Sequence, residues 1–261
     1  LYQFHALFRA FLQHQARLAL GDAGVQDIVS RAARALEQAG HWEHALASYA
    51  DAGLWSDFGR VIAVRVEALL EQGRRDTALD WLRRLPDERR RADPWLGYWE
   101  GRALMATAPE AAIERFDASL EQFAARADPG GRLACAGAAI QTLWYARLGW
   151  SEITPRVDGI ERWLDAPAVF PSRAIELLTY SALQAALAFC RPAHPAVGPL
   201  AVRLLDAVAD AGVDWNLRLS AAAHLIAYFH NAAEHDLATR LNAIVDALVE
   251  AQPASALNRA Y

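Results

Sequence analysis

Lysine is absent from this chain of 261 residues, and all 26 of its basic side chains are arginine. That absence excludes a Schiff-base lysine and the lysine of a phosphate-binding loop, and no GxxxxGK[ST] run occurs. Cysteine is nearly absent as well. Cys135 and Cys190 stand far apart in Ala- and Leu-rich surroundings, so no disulfide framework or CxxC metal site can be assembled from them. They read as small buried hydrophobes in a reducing cytoplasm. Long apolar runs are missing too. Apolar residues make up 54% of the chain, yet none of its runs approaches the roughly 18 consecutive apolar residues of a membrane span. The most apolar stretches, 183–190 and 221–229, are short and read as buried helices. No basic-apolar-small leader follows Leu1, so no secretion signal is expected, and the opening residues read as an excised piece of a longer protein. The formal net charge of −5 argues against a nucleic-acid surface, which needs clustered positive charge. The basic cluster of Arg83, Arg84, Arg89, Arg90 and Arg91, with Arg74 and Arg75 nearby, reads as a solvated turn region.

What is present is one period. Val25, Ile28, Val29, Ala32, Ala33 and Leu36 follow the i, i+3, i+4, i+7 rule, as do Leu237, Leu241, Ile244, Val245 and Leu248. Alternation of period two is nearly missing; the one instance, Val61 to Val66, lies inside a longer helical pattern and reads as helix. Gly40, Gly53, Gly73, Gly149 and Gly212 fall where periodic segments end, as left-handed closing residues do. Asp93 before Pro94, Ser172 and Asp214 suit the capping position at a helix start. Together these signals predict six antiparallel hairpins, at about 25–39 with 42–52, 55–71 with 76–85, 94–106 with 109–126, 132–148 with 151–164, 172–190 with 195–210, and 214–230 with 234–251. A further helix is expected to begin near Pro253.

The fold class predicted is all-α, a tetratricopeptide-like (TPR-like) superhelical stack of about six helical hairpins. The second helix of a tetratricopeptide unit asks for a small residue and then an aromatic. Gly40, Trp42, Ala45, Tyr49 and Ala52 match it, Gly73, Ala78, Leu82 and Leu85 match it with aliphatic replacements, and Ala112 with Phe116 begins a third match. Ala45, Ala78 and Ala112 are spaced by about one 34-residue repeat. Beyond Gly131 the signature fades.

Two stretches carry a resemblance. Residues 2–12, Tyr-Gln-Phe-His-Ala-Leu-Phe-Arg-Ala-Phe-Leu, resemble the FHxLFxxFL element that ends the winged-helix region of MalT-like regulators, signal-transducing ATPases often joined to a LuxR-type DNA-binding domain. Residues 32–55 and 69–96 are similar to the hairpins that follow it. The resemblance implies that residues 1–20 are the remnant of a winged-helix region and 21–261 a helical-repeat sensor domain. It also implies that ATP binds only in a domain upstream, with no cofactor in this segment. Such a segment acts in the cytoplasm by binding a protein partner or small polar effector, without contact to nucleic acid or membrane, and self-association belongs to the full-length protein.

The search for chemistry finds no enzyme. His41 with His44, and His230 with Glu234 and His235, sit at turns without a completing ligand, and HExxH and GxSxG are absent. A different pattern marks the first helices of the hairpins. Gln141 with Tyr145, Tyr180 with Gln184, and His224 with Tyr228 each set an aromatic ring and a hydrogen-bonding group one turn apart, and Trp99 with Arg102 is a looser version. First helices line the concave wall of a tetratricopeptide superhelix, so these residues are expected to converge on a groove for a sugar, a peptide or another polar small molecule.

Overall fold

The computed structural model describes residues 6–147, 150–164 and 167–251. Among them the chain is all-helical, with thirteen helices and no strand. In order these are α1 (Ala6–Gln38), α2 (Trp42–Asp51), α3 (Trp55–Glu71), α4 (Arg75–Arg84), α5 (Asp87–Ala92), α6 (Pro94–Leu104) and α7 (Pro109–Ala125). They continue as α8 (Pro129–Ala146), α9 (Trp150–Leu164), α10 (Arg173–Cys190), α11 (Val197–Ala209), α12 (Trp215–Asn231) and α13 (His235–Ala251). The helix expected near Pro253 lies outside the described residues. The chain forms two compact units, Leu1–Leu96 and Gly97–Tyr261, and the division falls inside α6.

In the first unit each helix packs on its predecessor from α1 to α4. The turns explain why. Gly40, Gly53 and Gly73 all take φ values near +70 to +80°. In each case the amide of the following residue reaches back five positions, from His41, Leu54 and Arg74 to the carbonyls of Leu36, Tyr49 and Leu69, at 2.8 Å every time. This closing motif satisfies carbonyls that a helix end would otherwise leave bare, and only glycine adopts its left-handed residue without strain. The chain is thereby reversed within a few residues, and Ala45, Tyr49, Phe58, Ile62, Ala78 and Leu82 become fully buried between helices. Arg60 donates to both carboxylate oxygens of Glu37 at 2.8 and 2.7 Å, tying α3 to α1. Much of the arginine cluster is engaged: Arg74 pairs with Glu43, Arg89 donates to Ser56, Arg90 pairs with Asp87, and Arg84 lies over the Trp81 ring. The stretch 87–92, read as a turn, is a short helix.

α1 is two helices in one, since Gly21 has φ 69° and ψ 172° and interrupts it. Leu7, Phe8, Phe11, Leu12, Leu18 and Leu20 before that break are all exposed.

The second unit is a two-layer stack. α8, α10 and α12, the first helices of successive pairs, pack side by side, and α9, α11 and α13 pack against them. One core joins these layers through Leu133, Ile140, Ile160, Leu183, Leu204 and Leu225. Starts are capped as the sequence predicts: here the Ser172 and Asp214 side chains accept from the amides of Ile175 and Leu217, and in the first unit Asp93 accepts from the amide of Trp95. Asp128 adds a cap on the Gly131 amide at 2.9 Å, beginning α8 three residues before the expected position. Two turns repeat the closing motif with alanine in the left-handed place: Ala127 (φ 53°) and Ala233 (φ 57°), each followed by an amide that reaches back to Phe123 or Phe229 at 3.0 Å.

Candidate ligand-binding face

The second unit gathers aromatic and neutral polar side chains on α8, α10 and α12. Trp144 on α8 meets the ring of Phe189 on α10 edge to face, with centroids 4.9 Å apart, and the His224 ring on α12 at 6.2 Å. One side chain therefore touches both other first helices. His224 continues the cluster inward. Its Nδ1 lies 3.0 Å from the Ser220 carbonyl oxygen, which can only accept, so this nitrogen carries the proton. The Ser181 hydroxyl oxygen, 3.2 Å away on α10, accepts a share of that proton. Burial pushes the imidazole below its ordinary pKa, and the Ser220 hydrogen bond opposes that only in part. Burial thus favours the neutral ring. With Nδ1–H directed at Ser220 and Ser181, this nitrogen is no base for the serine, and the pair serves to position and to hydrogen-bond.

Exposure falls step by step along this cluster. Phe189 is 50% exposed, Trp144 and His224 are half-buried, and Ser181 is 4% exposed. Gln184, three residues beyond Ser181 and hence on the same side of α10, is fully buried. Its Oε1 and Nε2 both lack a hydrogen-bond partner. Tyr145, next to Trp144, is half exposed.

The predicted groove residues divide accordingly. His224 belongs to the cluster, Gln141 and Tyr228 are half-buried, and Tyr145 is open to solvent. Tyr228 packs its ring against Phe229, 5.4 Å between centroids, and its hydroxyl pKa is raised by burial and then by Glu234. Tyr180 is in the core, wedged against Phe170 and covered by the Arg203 guanidinium at 4.2 Å, so it lines no solvent-facing wall. Trp99 is also buried, packed on Tyr98, and Arg102 donates to the Tyr98 hydroxyl at 3.2 Å instead of pairing with Trp99. Trp144 and Phe189 are functional candidates that the pairwise pattern missed. The available signal was the position of Trp144 two turns after Gly137, on the face of α8 that meets α10.

Other reactive groups are quiet. The Cys135 thiol is buried and its pKa is driven well up by desolvation, then by Asp117 and Asp128, so it is no nucleophile. The His41 and His44 rings stand edge to face at 6.1 Å. Among the described residues no group of three His, Cys, Asp or Glu side chains is placed to hold a metal ion, and no helix is long and apolar enough to cross a membrane.

Compared with protein families, curated proteins and solved structures, the chain matches none of them.

Proposed function

We propose that this chain is a non-catalytic helical-repeat module, TPR-like in its hairpin stacking, that binds an effector or partner on the face formed by α8, α10 and α12. The observation that carries the reading is the reach of Trp144 across three first helices, to Phe189 and to His224. A ligand that displaces or clamps that indole acts on all three helices at once. Differential affinity for two packings of the stack, and not binding alone, then transmits the signal. Together with the resemblance of residues 2–12, 32–55 and 69–96 to MalT-like proteins, this supports a sensor segment of an ATP-dependent, LuxR-type bacterial transcriptional regulator working in the cytoplasm. No covalent step is involved. The test is a metabolite screen by thermal shift on the whole chain, because a ligand selective for the folded state raises the melting temperature. Tyr145→Ala and Phe189→Ala should abolish the shift while leaving the far-ultraviolet helical signal intact. A ligand shift that survives both substitutions removes this face from the account.

A second reading, a protein–protein scaffold without a small-molecule ligand, is favoured by the exposed Leu7, Phe11 and Leu18 on α1. It expects no metabolite shift and an association that weakens when Phe11 is changed to Ser.

A further inference from the structure

The first half of α1 is a helix whose apolar side is uncovered. Among the described side chains of residues 7–20, all are exposed except Ala16, which is half-buried. A helix of about four turns is marginal in water by itself and takes its stability from burying an apolar face. Here that face is large: Leu7 is 77% exposed, Leu18 69% and Phe11 55%, and Phe8, Leu12 and Leu20 add to it. Gly21 sets the stretch off from the rest of α1, since its φ of 69° with ψ of 172° lies in a region essentially closed to residues with a side chain. The order of the apolar residues is specific. Positions 7, 11, 14 and 18 are spaced by four, three and four, the seam of a helix that pairs with another helix, and His14 is its single polar member.

We propose that residues 7–20 of α1 pair with the same helix of a second copy of the chain, antiparallel about a two-fold axis between residues 12 and 13. Under that axis Leu7 meets the partner's Leu18, and Phe11 meets the partner's His14. Seam positions therefore meet only seam positions, as a self-complementary two-fold contact requires. Beside the seam, Arg17 comes over the ring of the partner's Phe8, where a guanidinium is attracted by the face of the ring. The parallel arrangement instead sets Arg17 against the partner's Arg17, and no acidic residue between positions 6 and 20 offsets those like charges. The stretch thus supplies its own complement in one orientation and not in the other. Pairing covers about 500 Å² of each helix, on the order of 1,000 Å² in total, which reaches the lower bound for a specific interface. The inference deepens the second reading above by naming its partner, and is independent of the face on α8, α10 and α12.

The experiment is sedimentation equilibrium of the full chain across about 1–100 μM, the range in which an interface of this size associates. The wild type should pass from monomer to dimer, and Phe11→Ser and Leu18→Ser should each move that transition to roughly tenfold higher concentration. Ala10→Ser, which lies off the seam and lowers helix propensity in the same way, should leave it unchanged. Orientation is read by cross-linking in a Cys190→Ser background, where the remaining Cys135 is buried. Leu7→Cys mixed with Leu18→Cys should oxidise to a linked pair faster than either does alone, because the two-fold axis brings position 7 to position 18 and not to itself. The proposal is overturned if the chain stays monomeric throughout, if both serine variants associate like the wild type, or if each cysteine variant links to itself as readily as to the other. A monomer that co-sediments with phosphatidylglycerol vesicles would give the stripe to a membrane surface and overturn the pairing as well. Its failure is separable from that of the scaffold reading: a monomeric chain that loses its hold on a different protein in Phe11→Ser retires the self-pairing alone.

Discussion

The imidazole of His224 on α12 and the hydroxyl of Ser181 on α10 meet at 3.2 Å, a polar link between two helices that otherwise join through apolar side chains. The link depends on pH. Burial holds the folded pKa of His224 below the ordinary 6.5, so the unfolded chain binds the proton more readily than the folded one. The contribution is therefore fully present above about 6.5 and is lost as pH falls through the lower, folded value. Urea denaturation at pH 7.5 and 5.5 should give a lower midpoint at the acidic pH, and His224→Gln should reduce the difference between the two. An unchanged difference in the variant would assign the acid sensitivity to other groups.

Replacing Gln184 with leucine should stabilise the chain. The unmatched amide costs about 1–3 kcal/mol, and an apolar side chain of similar size removes that cost. The variant is expected to shift the urea midpoint upward at unchanged slope. A downward shift would mean that the carboxamide is satisfied in solution.

The alanine turns offer a second gain. Ala127 and Ala233 occupy the left-handed position that Gly40, Gly53 and Gly73 fill elsewhere. A side chain there costs about 1 kcal/mol or somewhat more relative to glycine. Ala127→Gly and Ala233→Gly should each raise the melting temperature, and Gly53→Ala should lower it by a comparable amount.

At Gly130 glycine is required for a different reason, close approach of another backbone and not positive φ. A Cβ at this position would stand 2.1 Å from the backbone oxygen of Val169, and backbone cannot rotate out of the way as a side chain can. Gly130→Ala should destabilise by about 1–3 kcal/mol, measured by thermal denaturation. Gly59→Ala, with nothing within 4 Å, is the control that should leave stability unchanged or raise it.

Most helix boundaries were legible because glycine, proline and capping residues punctuate them chemically. Predicted ends at 39, 52 and 71 fall within a residue of the observed Gln38, Asp51 and Glu71. The alanine turns were not legible: nothing in Ala127 or Ala233 announces positive φ, which accompanies the closing hydrogen bonds to the Phe123 and Phe229 carbonyls. The helix at 87–92 was hidden because its six residues, Asp-Glu-Arg-Arg-Arg-Ala, have no apolar period to display. The face was legible only in part. α10 is buried nearly all round, so its sequence cannot say which side meets solvent, and Tyr180 and Gln184 were placed on the wall when both are interior. Pairing residues within one helix also overlooked Trp144, whose partners lie on two others.

Gly137 has a reach beyond its own size. A Cβ there would come within 3.2 Å of the Thr179 Cα, so α8 and α10 run nearly backbone to backbone at this level. Trp144 sits two turns further along the same side of α8. A side chain at 137 acts as a spacer, and even the Cβ of alanine requires the Thr179 backbone to give by a few tenths of an ångström. The binding proposed for this face would then be retuned from a position that lines none of it, through the gauge of the stack alone.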